Sequence, residues 1–236
     1  MCGKFSMMMT WGEYCARAGV GTDGGYGGGD AMDAGKMLAT MTPMANVPVL
    51  HLGPVRQRRM TPMRWGWHDH KAADPARRFS HLHARAETID TAPTWFEPFR
   101  DRRGAILTRQ FNIGEELPDG KVKQWICSRE DGEPMWMAVI WSAWELVQGP
   151  LRAFVMVTTD SCPPLDGHDN RMPAILAGDD ALAMWLGETG ASDAQLKALL
   201  RPYPGKLVMR EQDPPKKKQD GPPPKPKKDD PQPGLF

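Results

Sequence analysis

The chain has 236 residues, 40% of them hydrophobic, enough for one core of ordinary size with a satellite element or a tail. Its four cysteines (Cys2, Cys15, Cys127, Cys162) show no C-x-x-C pair and no metal-like spacing, no basic leader precedes an apolar stretch, and no apolar run approaches the ~18 residues needed to cross a bilayer. An intracellular, reduced, cytoplasmic protein with no membrane role is therefore expected. The net charge of +1 is unevenly spread: residues 214–236 hold six Lys against three Asp, which leaves −2 for residues 1–213. Residues 56–109 nevertheless hold twelve Arg or Lys against six acids, a candidate phosphate-binding face or a solvated surface of mixed charge.

The chain opens Met1-Cys2-Gly3-Lys4-Phe5. The small Cys2 side chain permits removal of the initiator methionine, and an α-amine and a thiol then stand on adjacent carbons. Such an aminothiol adds its amine to an aldehyde and closes its sulfur onto the imine, giving a thiazolidine. Unperturbed pKa values of about 8 and about 8.5 leave both groups partly nucleophilic at neutral pH. The same tripeptide also suits a small, inert, buried thiol.

Residues 19–29 contain a formal G-x-G-x-x-G at Gly19, Gly21 and Gly24, but no strand leads in and no amphipathic helix leads out. A flexible, glycine-rich surface insertion over about 19–36 is expected instead. Asn46–Leu50 reads as a short strand whose Pro48 suits an edge or entry position. In Arg64-Trp65-Gly66-Trp67, indoles beside arginines suit stacking on unpaired bases, with Trp65 as core the competing reading. His68, His70, His81 and His83 lack a cysteine or carboxylate at ligand spacing, so no metal is expected. Gly104–Leu107, Lys121–Cys127, Met135–Trp141 and Phe154–Thr159 read as strands, with turns at Asp119-Gly120 and Asp131-Gly132. A loop covers Ser161–Arg171. Two helices follow, one over about Asp180–Leu186 and one from Ser192, where Ser192 and Gln195 have capping-box spacing.

Met-Cys-Gly-Lys-Phe, Arg64-Trp65-Gly66, Ala84-Arg85-Ala86-Glu87-Thr88, Arg102-Arg103 before a strand, Trp141, Thr158-Thr159 and Arg171-Met172-Pro173-Ala174-Ile175-Leu176 occur in the order seen in the SRAP family. The chain resembles these SOS-response-associated peptidase domains over about residues 2–186. The resemblance implies an α+β fold, with antiparallel strands curled into a barrel-like core and flanking helices, over a domain of residues 1–210. It implies a cleft in which the N-terminal cysteine forms a thiazolidine with the aldehyde of an abasic site in single-stranded DNA, with no cofactor, in a monomer that is nucleoid-associated when bound. Cys2, His83, Glu115 and His168 then form the catalytic set, and Arg64, Trp65, Trp67, Arg77, Arg85, Arg102, Arg103 and Arg171 the DNA-binding set.

Departures from the family pattern stand at three places. His83 replaces an Asn; strict counting from Arg103 puts Ile113 where the family has a Glu, with Glu115 two residues on; strict counting back from Arg171 puts Asp169 where the family has a His, with His168 one residue earlier. The competing functions are an N-terminal-nucleophile amidohydrolase of the glutamine amidotransferase type, which also begins Met-Cys-Gly, and a non-catalytic single-stranded-DNA-binding relative.

Residues 211–236 read as a disordered tail rich in proline and lysine. Its end, Gln232-Pro233-Gly234-Leu235-Phe236, resembles the Gln-x-x-Leu-Phe peptides that dock on the bacterial sliding clamp, with Gln232 hydrogen-bonded and Leu235 and Phe236 in an apolar pocket. A chance match in a low-complexity tail is the alternative.

Overall fold

The structure is a computed structural model that describes residues 2–22, 35–68, 79–147 and 149–212. Its elements in chain order are β1 (Lys4–Thr10), α1 (Trp11–Ala18), β2 (Met37–Met41), β3 (Asn46–Leu52), β4 (Arg58–Trp65), β5 (His83–Arg85) and α2 (Phe96–Asp101). Then come β6 (Arg103–Thr108), β7 (Gln110–Glu116), β8 (Val122–Arg129), β9 (Met135–Leu146), β10 (Gly149–Asp160), β11 (Arg171–Pro173) and β12 (Ile175–Leu176). The last are α3 (Asp179–Leu186), α4 (Asp193–Ala198) and β13 (Leu207–Glu211).

Five strands close on themselves. β10 pairs with β4, β4 with β3, β3 with β6, β6 with β9, and β9 with β10 again, so the expected barrel-like core is a closed ring. β5 and β11 attach to β10, and β12 attaches to β9. Alternation along the paired strands puts Val49, Ile106, Val139 and Met156 on one face of the ring and Leu50, Met60, Ala105 and Val155 on the other, and both sets are fully buried. A second sheet, in the order β13-β8-β7-β1-β2, packs against the ring, and Phe5 of β1 meets Trp65 of β4 with ring centroids 5.1 Å apart.

Pro48 does not lie on an edge: β3 runs between β4 and β6. It faces Pro62 across β4, and the ladder to β6 begins only at Leu50. The gap is filled by Tyr14 of α1, whose hydroxyl donates to the Pro48 carbonyl at 2.7 Å and accepts from the Leu107 amide at 3.2 Å. The phenol thus bridges a carbonyl of β3 and an amide of β6 where the two strands are not paired directly.

The turn and helix signals hold. Gly120 and Gly132 take φ of 77° and 71°, the left-handed region that L side chains avoid, and Ser192 caps α4 with Gln195 as its reciprocal partner. The same capping box opens α1, where Thr10 bonds the Glu13 amide and Glu13 bonds back, and Gly19 closes that helix in the left-handed conformation. β13 carries ordered structure past residue 210, to Gln212, whose amide donates to the Gln124 carbonyl at 2.8 Å. Most of the glycine-rich insertion (23–34) and the tail from 213 onward, with Gln232, Leu235 and Phe236, lie outside the described residues. Among the described residues, no helix is long and apolar enough to cross a membrane.

Candidate functional site

β1 enters its sheet with Lys4 opposite Asn112 of β7, and Cys2 lies just before it, 1% exposed. The Cys2 thiol donates to the Lys4 carbonyl at 3.4 Å and faces the Asn112 backbone amide. Burial, helped by the negative charge of Asp169, outweighs the backbone hydrogen bonds at Lys4 and Asn112 that favour the thiolate and pushes the thiol up to about 12. At physiological pH it is neutral, and the thiolate is a minor form.

His83, the first residue of β5, is placed by the parallel pairing of Met156 with His83 on β10. Its Nε2 lies 2.8 Å from the Cys2 carbonyl oxygen. A carbonyl only accepts, so Nε2 carries the hydrogen and Nδ1 keeps the lone pair. Burial pulls the His83 pKa below its ordinary value, partly opposed by the bond to Cys2, so the ring is neutral near pH 7.

Glu115, near the end of β7, and His168, in the loop before β11, are 53 positions apart in sequence, yet Glu115 Oε2 meets His168 Nδ1 at 2.9 Å. The same oxygen accepts from Trp125 Nε1 at 2.7 Å, and the Trp125 and His168 rings lie 4.6 Å apart. These bonds, Trp125 first, hold the Glu115 carboxyl below the usual carboxylate range. Ile113 is fully buried on the same strand, opposite Trp125. Asp169 is the acid whose charge acts on both the Cys2 thiol and the His83 ring. The structure therefore forms two neighbouring groups, Cys2 with His83 and Asp169, and Glu115 with His168 and Trp125. Asp169 and Trp125 were not in the expected site; strict counting back from Arg171 had marked the first, and nothing local marks the second.

The expected DNA-binding residues are spread over unlike places. Trp65 is fully buried, stacked against Phe154 at 6.5 Å and 9°, and Trp67 is buried edge-on to Trp95 and Trp144, so neither offers a bare face to a base. Arg64 is buried with Nε on the Gly66 carbonyl at 3.3 Å. Arg103 donates to the carbonyls of Trp185, Phe99 and Arg100. Arg171 forks onto Glu87 at 2.6 and 3.0 Å, reaches Asp160 at 2.8 Å and donates to the Thr158 carbonyl at 2.6 Å. These three guanidiniums bond to the protein's own groups. Arg102 pairs with Glu97 at 3.0 Å. Arg85 differs: its side chain is 66% exposed and only loosely paired, 3.6 Å from Glu87. Arg77 lies outside the described residues. His81, two positions before His83, lines a pocket of about 560 Å³ walled by Trp67, His68, Arg102 and Trp144.

A family model described as SOS response associated peptidase (SRAP) matches residues 1–213. Among curated proteins, the chain is similar to the abasic site processing protein HMCES of Gallus gallus, at 27% identity over 171 residues, covering 62% of this chain and 50% of that protein. It is similar to the abasic site processing protein YoqW of Bacillus subtilis (strain 168), at 27% identity over 147 residues, covering 61% of this chain and 65% of the other. The chain thus spans about half the length of the vertebrate relative. Among solved structures, a protein from Bacteroides thetaiotaomicron matches with a TM-score of 0.71 and 19% identity, covering 89% of this chain and 91% of that one. A Bordetella bronchiseptica protein matches with a TM-score of 0.66 and 20% identity, covering 89% and 99%. At these identities the structural likeness is one of fold.

Proposed function

Because this chain belongs to the SOS response associated peptidase (SRAP) family, we propose that it is a cytoplasmic DNA-damage protein that holds single-stranded DNA and captures abasic sites covalently through Cys2. The single observation that carries the reading is the placement of Cys2, buried in a polar site with its carbonyl tied to the neutral ring of His83. The relatives' printed names, abasic site processing proteins, support the same substrate.

The chemistry starts with loss of Met1, which frees the Cys2 α-amine. That amine attacks the C1′ aldehyde of the ring-opened sugar, water leaves, and an imine forms. The sulfur then adds to the same carbon and the thiol proton ends on nitrogen, closing the thiazolidine. A thiol held neutral by burial fits an order in which the amine acts first. His83 fixes the Cys2 carbonyl, and its Nδ1 has the lone pair a proton transfer needs; the ionised Glu115 beside His168 is a second proton station. Arg85 is the exposed cation next to this site, on the strand that His83 begins, and is assigned to a phosphate. The tail motif Gln232, Leu235, Phe236 would hold the protein at a sliding clamp, raising its local concentration where single-stranded gaps arise.

The deciding experiment is incubation with single-stranded DNA carrying one abasic site. An SDS-resistant adduct is expected with the wild type and none with Cys2→Ala, and the intact mass of active protein should lack Met1. Equal adduct from both proteins, or active protein that retains Met1, would sink the reading. The buried isoleucine at position 113 favours a second reading, a relative that binds single strands without reacting; retained affinity with no adduct would identify it.

A further inference from the structure

Gln212 follows β13, in the stretch that composition assigns to the tail, yet its side chain reaches over β8 to the strand that starts beside Cys2. Its Oε1 accepts from Lys4 Nζ at 2.8 Å and from Asn112 Nδ2 at 2.8 Å. Lys4 and Asn112 are directly opposed in β1 and β7, and they are the residues whose backbone groups meet the Cys2 thiol, Lys4 through its carbonyl and Asn112 through its amide. One oxygen therefore ties together the two backbone segments that hold the sulfur.

We propose that Gln212 is a positioning residue for Cys2, acting through Lys4 and Asn112. Asn112 is 3% exposed, and its Oδ1 has no hydrogen-bond partner among the described residues, so the bond from Nδ2 to Gln212 is the side-chain bond that orients this buried amide. Removing the acceptor leaves a buried donor unmet, and the amide turns or draws in water. Lys4 loses the partner that holds its ammonium beside the site, and a flexible, strongly hydrated side chain then swings to solvent. Gln212 itself is fixed, because its backbone amide donates to Gln124 of β8. The C-terminal strand is thus a prop for the N-terminal nucleophile.

The inference rests on the reading of Cys2 as a nucleophile for its adduct arm alone; a second arm, alkylation of Cys2 by iodoacetamide followed by mass spectrometry, is independent of DNA. Gln212→Leu should slow adduct formation about tenfold and speed alkylation of Cys2, while Gln212→Glu, which keeps the acceptor, should restore both. Lys4→Met combined with Gln212→Leu should be little worse than Gln212→Leu alone, since that variant already removes the contact to Lys4. Glu211→Ala removes the 3.0 Å ion pair from β13 to Lys123 of β8 without touching Lys4 or Asn112, and separates loss of positioning from loosening of β13. Gln212→Leu behaving like Glu211→Ala in both arms, or Gln212→Glu failing to rescue, would overturn the proposal. If the wild type forms no adduct, the functional reading fails and the alkylation arm alone decides the role of Gln212.

Discussion

The Nε2 of His83 lies 2.8 Å from the carbonyl oxygen of Cys2, a bond across 81 positions of sequence that joins the start of β1 to β5. It holds the very residue whose amine and thiol are assigned the chemistry. Truncation by His83→Ala should slow adduct formation by about tenfold to a hundredfold, the range expected when an orienting bond is lost. His83→Asn, which offers an amide donor in the same place, should recover most of the rate. Equal rates for wild type and His83→Ala in single-turnover assays would remove His83 from the site.

The same ring makes stability depend on pH. Burial lowers the pKa of His83, and of His51, below the unfolded value of 6.5. Above pH 6.5 both states are neutral and nothing is lost; as pH falls below it, the unfolded chain takes up protons that the folded chain refuses, and stability declines until the folded pKa is reached. Thermal melts at pH 7.5, 6.5 and 5.5 should show this decline, and His83→Asn should show a smaller one. An identical pH dependence in the variant would contradict a neutral, buried His83.

Arg85 and Arg171 should separate binding from stability. Arg171→Met removes a guanidinium bonded to Glu87, Asp160 and Thr158, and should destabilise the fold by about 2–3 kcal/mol, less than for a fully buried pair because both carboxylates are partly exposed. Arg85→Ala should leave melting unchanged, weaken single-strand binding, and reduce the slope of log affinity against log salt by about 0.7. Denaturation curves and salt titrations read the two effects; unaltered binding in Arg85→Ala would leave that cation a solvated surface group.

A peptide of residues 214–236 should bind purified bacterial sliding clamp, and Leu235→Ala with Phe236→Ala should abolish it. Calorimetry that detects no binding of the unaltered peptide at high micromolar clamp would end the clamp reading.

Much of the architecture was legible. Asp119-Gly120 gave the β7–β8 hairpin turn and Asp131-Gly132 the turn that leads from β8 in one sheet to β9 in the other, Ser192 with Gln195 gave α4, and the run Met135–Trp141 gave the ring's long strand, because each signal is local. Thr10 and Glu13 carry the same capping signal for α1, overshadowed by the cysteine at the chain start. What was not legible is the fate of a side chain across the fold. An arginine satisfied by the Trp185 carbonyl and one left exposed to solvent are the same residue in a sequence, so Arg103 and Arg171 looked like Arg85. Pro48 looked like an edge or entry residue because the phenol of Tyr14 that bridges its carbonyl to the Leu107 amide comes from 34 positions away. Gln212 carried no signal, since its partners are set only when β13 docks.

The ring of strands has unequal joints. β3 and β4 are paired along their whole length, from Asn46 with Arg64 to Leu52 with Arg58, and β9 is paired extensively with both β6 and β10. The joints between these two parts are short: Leu50 with Ala105 and His51 with Gly104 on one side, Ala153 with Arg64 and Phe154 with Trp65 on the other. The barrel is in kinetic terms a hairpin clipped onto a three-stranded sheet, and the clip joining residues 64 and 153 closes a long loop, which is slow to find. Breathing of the native protein should follow the same joints, the hairpin of β3 and β4 lifting as one unit while the three-stranded sheet stays shut. Amide hydrogen exchange would then give Ala105 and Phe154 shorter lifetimes than Val139, and the strand whose lifting opens the barrel is the one that carries Trp65 edge-on to His83.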